Sequence, residues 1–145
     1  MKRVMTFALL AFGLAALTSG QGVSEASQGK QVLLPVSPAS LDFGDQALQT
    51  LSKQLRVTLT NSTDRRIDIS RVETGEGHWE DFEADDDPCT GIPIEAGKSC
   101  SIGVIFSPRG VGARRSYLLI TYGDSDYSQR ISLKGNGITP RSATP

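Results

Sequence analysis

Short runs in which apolar and polar residues alternate, each closed by glycine, proline or asparagine, constrain this chain more than any other feature. From Gln54 to Asn61, Leu55, Val57 and Leu59 face one way and Arg56, Thr58 and Thr60 the other. A period of two belongs to an extended strand with one buried face. Ile102, Val104 and Phe106 repeat the pattern after Cys100 and stop at Pro108. Ile131 and Leu133 repeat it between Tyr127 and Gly135, and Ile67 and Ile69 do so between Arg66 and Ser70. Val72 breaks the phase of that run, which predicts a bulge or strand end near Arg71. From Arg114 to Tyr122 both faces are apolar, as in a central strand.

The start of the pattern is broken. Val32, Leu33, Leu34 and Val36 form a first strand candidate with Pro35 inside it, which suits an edge. Leu41 and Phe43 form a second, closed by Gly44. The two read as one edge strand kinked at Ser37 and Pro38, able to pair first with one sheet and then with another. The strands ending at Asn61 and beginning at Ile67, joined by a polar turn, read as a half-buried antiparallel pair. Trp79 and Phe82 are expected to drop onto the core as a plug, with Glu83 to Asp87 as an acidic loop. No 3.6-residue period follows the first apolar segment. Seven or so strands joined by turns predict an all-β antiparallel sandwich, with a small barrel as the rival layout. The expected core is Leu55, Val57, Leu59, Ile67, Ile69, Ile102, Val104, Phe106, Leu119, Ile131 and Leu133.

Residues 1–26 read as an export signal. Lys2 and Arg3 precede an apolar run from Phe7 to Leu17, which small residues close, and cleavage is expected after Gly20 or Ala26. The run is shorter than the roughly 20 residues of a comfortable membrane span, and no second such segment follows. Residues 27–137 then form one domain and residues 138–145 a disordered, proline-bearing tail. The periplasm or the outside of the cell is the expected location. A net charge of −1 without a concentrated basic face gives no sign of nucleic-acid binding.

The chain has two cysteines, Cys89 and Cys100, separated by turn-forming Gly91, Pro93 and Gly97. In an exported chain they are expected to form a structural disulfide. Their spacing is not that of a redox motif. The other chemistry-bearing residues fit no site. His78 has Glu76, Glu80 and Asp81 nearby but no zinc-ligand spacing. Asp81, Glu83, Asp85, Asp86 and Asp87 lack the periodicity of a calcium loop. The serines include no nucleophile elbow. Arg109, Arg114 and Arg115, with Lys98 at the same end, read as a solvated basic rim. No catalytic residue, metal or cofactor is expected.

The order of motifs resembles a known family. Val36-Ser-Pro-Ala-Ser-Leu-Asp-Phe-Gly44, Val57-Thr-Leu-Thr-Asn-Ser62 and Ile67-Asp-Ile-Ser70 come first. Asp81-Phe82, Cys89-Thr-Gly91, Ile94-Glu-Ala-Gly-Lys-Ser-Cys100 and Ile102-Gly-Val-Ile-Phe-Ser-Pro108 follow, and Ile131-Ser-Leu-Lys-Gly-Asn-Gly137 ends the series. Together they resemble the ASPM-SPD-2-Hydin (ASH, HYDIN-like) immunoglobulin-like module, known in bacteria as the choice-of-anchor D domain. The resemblance implies a seven-stranded immunoglobulin-like β-sandwich without catalysis. Eukaryotic relatives are ciliary or centrosomal, a setting at odds with the export signal here. The resulting expectation is a non-enzymatic protein-binding module for adhesion or scaffolding, monomeric or weakly oligomeric. A periplasmic chaperone or secretion accessory acting by strand addition is the first alternative. A carbohydrate-binding module using Tyr117, Tyr122, Tyr127 and Trp79 is the second.

Overall fold

The computed structural model describes residues 33–140. The leader read over residues 1–26 and the last tail residues, 141–145, lie outside them. The strands are β1 (Val36–Ser37), β2 (Ser40–Ala47), β3 (Leu55–Thr60), β4 (Ile69–Gly75), β5 (Phe82–Asp86), β6 (Ser99–Phe106), β7 (Gly112–Tyr122) and β8 (Ser128–Ile138). They form two four-stranded sheets, ordered β1-β3-β6-β5 and β2-β8-β7-β4. A 3-10 turn at Trp79–Asp81 leads into β5. Counting β1 and β2 as one kinked strand gives the seven-stranded immunoglobulin-like sandwich.

The kink is where the sequence places it. β1 pairs antiparallel with β3, and after Pro38 the chain crosses to the other sheet, where β2 pairs with β8. That last pairing is parallel, an exception in an otherwise antiparallel fold. A register shift between Ile69 and Arg71 is the irregularity that Val72 signals.

Several expectations need correction. β3 and β4 are not paired: β3 lies between β1 and β6, and β4 pairs with β7 in the opposite sheet. Both have one apolar face, and periodicity does not say which sheet a face belongs to. β2 continues through Gly44 to Ala47, because a bulge between Asp42 and Asp45 absorbs the glycine. The acidic segment after Phe82 is strand β5, with Phe82 opposite Phe106 and Ala84 opposite Val104. β8 reaches Ile138, opposite Ala47 and one residue into the segment read as tail.

The core fills the space between the sheets. Val57, Leu59, Ile102, Val104, Phe106, Leu118, Ile120, Ile131 and Leu133 are fully buried. In β7 the inward set is Leu118, Ile120 and Tyr122, so the expected Leu119 lies on the outer face, and Leu55 is only half-buried. Phe43, Phe82 and Phe106 meet as an aromatic trio, the last two stacked with ring centroids 4.7 Å apart. Two glycines of β8 allow this packing. A Cβ on Gly135 would strike the Phe106 ring, and one on Gly137 would strike the Gly110 carbonyl.

Candidate functional site

At the end of the sandwich where β6 begins, Cys89 and Cys100 are joined, with Cα atoms 5.8 Å apart. Cys89 is fully buried. Asn61 organises the same end. Its side chain donates to the carbonyls of Arg65 and Ile94 and accepts from the N–H and hydroxyl of Thr63. Its own N–H donates to Lys98 O and its carbonyl accepts from Gly97. A buried amide with every group satisfied fixes both loops that meet it.

At the opposite end, Asp81 is buried and pairs with Arg114 Nε. It also accepts the Arg109 N–H, and its carbonyl accepts from Ser107. Asp81 therefore belongs to no acidic cluster, and Arg114 to no solvated rim: burial draws the two together. Lys98 lies at the other end of β6 from Arg109. His78 borders β7, its N–H donating to Arg115 O and its Nδ1 accepting the Arg115 N–H. Phe82 closes the core, whereas Trp79 is half exposed and is not a plug. No group of three or more His, Cys, Asp and Glu side chains is placed to hold a metal among the described residues.

The outer faces differ. On the β1-β3-β6-β5 sheet, Thr58 pairs with Ser101 and Thr60 with Ser99, while Arg56 pairs with Asp86 and Gln54 reaches Asp85. Gln54 lies over Gly103, which has no side chain to displace it. On the other sheet, Arg130 pairs with Glu76 and sits 5.6 Å from the centre of the Tyr117 ring. Tyr122 is buried, which raises its phenol pKa, and its hydroxyl donates to Gln129. Gln129 also brackets Leu34, its Oε1 accepting the Leu34 N–H and its Nε2 donating to the Leu34 carbonyl. That clamp ties the segment before β1 to β8. The four aromatics expected for sugar stacking thus do not form one platform.

The strand edges carry more information about partners. β8 has neighbours on both sides. β2 is bulged at Gly44, whose N–H donates to Asp42 Oδ1; that bond and Lys134, 3.1 Å away, hold the Asp42 pKa below its ordinary value. The start of β4 is covered by the loop after Cys89, through bridges Ile67–Ile94 and Ile69–Thr90. β5 carries exposed Glu83 and Asp85 and a register shift between Ala84 and Asp86. Bulges, charges and cover are the usual guards against edge pairing. From Leu55 to Val57, β3 carries the charge of Arg56 but has neither a bulge nor a covering strand on one side: β1 reaches Thr58 and Leu59 and no farther. Sequence periodicity did not reveal this gap, nor the roles of Asn61, Asp81 and Gln129, because each depends on contacts distant in the chain.

Comparison with solved structures places the architecture. The ASH/PapD-like domain 7 of human CEP192 matches 82% of this chain and 97% of its own, at 15% identity and a TM-score of 0.58. A Porphyromonas gingivalis protein of unknown function matches 77% of this chain at 15% identity, with a TM-score of 0.57. The Vibrio cholerae protease VesB matches 71% at 16% identity, with a TM-score of 0.53. The matched region is 50% of the P. gingivalis chain and 31% of the VesB chain. No protein-family model and no curated protein matches the sequence. The fold is an immunoglobulin-like sandwich, similar to that of the ASH/PapD-like domain. Among the described residues, no helix is long and apolar enough to cross a membrane.

Proposed function

We propose that this chain is a non-enzymatic, exported immunoglobulin-like module that binds a protein partner in adhesion, scaffolding or assembly at the cell envelope or outside it. The observation that carries this reading is the sandwich itself: its interior is filled by its own side chains, and its loops are held by internal partners such as Asn61 and Asp81. Faces and edges are left for recognition. The motif order from Val36 to Gly137 supports the bacterial choice-of-anchor D type. Residues 1–26 are the removed leader, 27–138 the domain and 139–145 the tail. The Cys89–Cys100 bond fits an oxidising compartment, and complete burial of Cys89 favours a structural bond over exchange. Guarded edges favour a monomer or weak oligomer.

Binding by strand addition is favoured over sugar binding. Part of β3 is uncovered, whereas Tyr122 is buried and Arg130 sits over Tyr117. Cross-linking and pull-down of the mature protein from its own envelope or culture fluid should recover a recurrent protein partner. Recovery of none, with retention on a glycan array, would overturn the reading. Intact mass of the exported form should show loss of the leader after Gly20 or Ala26, and retention of Met1 would contradict export by cleavage.

A further inference from the structure

We propose that the uncovered half of β3 and the slot beside it receive an extended segment of a partner protein as an added strand. This rests on the protein-binding reading above and gives it a location. β1 faces only Leu59 and Thr58 of β3 before the chain crosses at Pro38 to the other sheet. The Thr60 N–H donates to Pro35 O on that side. Main-chain groups of every second residue in an antiparallel strand turn the same way. Arg56 therefore presents its N–H and C=O to the space that β1 has left.

A slot of about 280 Å³ opens beside this edge, lined by Asp42, Phe43, Gln46, Ser52, Lys53 and Leu55. Its apolar walls are Phe43 and Leu55, both half-buried between the sheets. Strand addition draws affinity from main-chain hydrogen bonds and specificity from pockets for alternate side chains. Arg56 supplies the bonds, and the slot takes one apolar side chain. The rim selects charge: Asp42 is paired with Lys134, while Lys53 has no carboxylate partner among the described residues. The matching segment carries an apolar residue with an acidic residue close by. A second copy joined through this same edge would set Arg56 opposite Arg56, like charges across the seam, so the occupant is a segment of a different protein.

Selection from a phage-displayed random peptide library against the mature protein tests this. Enriched peptides should alternate in polarity and carry an acid near an apolar centre. Titration of such a synthetic peptide should shift backbone amide resonances at Phe43 and from Lys53 to Val57. Lys53→Glu should weaken binding about fivefold, the upper range for an exposed ion pair, and a peptide with lysine in place of the acid should recover it. Arg56→Pro, which removes the edge N–H, should abolish binding, whereas Arg56→Ala, which removes only the side chain, should not. An N-methylated peptide makes the same test with the protein intact. Absence of enrichment, shifts on another face, or equal binding by the N-methylated peptide would overturn the site. A partner recovered from the envelope that binds wild type, Lys53→Glu and Arg56→Pro equally would remove this site and leave the interaction reading standing.

Discussion

Replacing Gly135 by alanine should destabilise the sandwich although it adds one methyl group in a strand. A Cβ there would lie 2.5, 2.7 and 2.9 Å from Cε1, Cζ and Cδ1 of Phe106, where ordinary contact begins near 3.4 Å. The ring would have to retreat by about 1 Å. It has little room to do so, being fully buried, stacked on Phe82 and 5.6 Å from the Phe43 ring centre. Overpacking of this kind costs about 1–3 kcal/mol. Gly135 has no positive φ, so alanine fits its backbone and recovers about 0.4–1 kcal/mol through the unfolded chain. The net expectation is a loss of about 1–2 kcal/mol, read as a lower urea midpoint at unchanged slope. In a Phe106→Leu background the cost should shrink or reverse, because the contacting ring is gone. Unchanged or raised stability of Gly135→Ala would refute the packing account. Persistence of the full cost without the ring would place the strain elsewhere.

Asp81→Asn should cost about 2–4 kcal/mol in urea unfolding, somewhat under the value for a fully buried broken pair, because Arg114 remains partly exposed. Non-reducing peptide mapping should recover Cys89 linked to Cys100, and a double serine variant should lose about 2–4 kcal/mol; free thiols in the exported protein would contradict this. Asp42 has a lower pKa folded than unfolded, so its stabilising contribution is present above the ordinary value of 3.8 and is lost as pH falls through the folded value. Asp42→Asn should therefore melt lower than wild type near neutral pH and converge with it in acid. Melting curves with calcium and with chelator should coincide, since β5 turns its acids along one strand without gathering them; a chelator-reversible shift of many degrees would reopen a calcium role.

The fold was legible where a local pattern suffices. Leu55 to Thr60, Ile102 to Phe106 and Ile131 to Leu133 show their strands by alternation, and Pro38 shows the crossing between sheets. What stayed hidden depends on long-range pairing. Alternation does not show that β4 belongs opposite β3, or that Leu118 rather than Leu119 turns inward when both phases are apolar. Asp81 sits in an acidic run yet is the buried acid, because Arg114 reaches it from 33 residues away. Periodicity finds a strand; it does not find the partner that makes a charge tolerable inside.

The two ends of the sandwich are fixed by different means, and the difference bears on where a partner can act. Around Asn61 and Cys89–Cys100, a buried amide and a covalent link hold loops that also insert Ile67, Cys89 and Ile94 into the core. Around Asp81, an ion pair and the Phe43–Phe82–Phe106 trio hold the opposite end. Movement at either end would disturb groups that are buried and fully partnered, at a cost of several kcal/mol. The gap beside β3 is unlike both. It exists because one edge strand is divided between two sheets, leaving main-chain groups of Arg56 without a neighbouring strand and Phe43 and Leu55 half covered. An incoming strand there would bond to Arg56 without breaking an existing strand pairing, whereas movement at either end would have to undo buried partners.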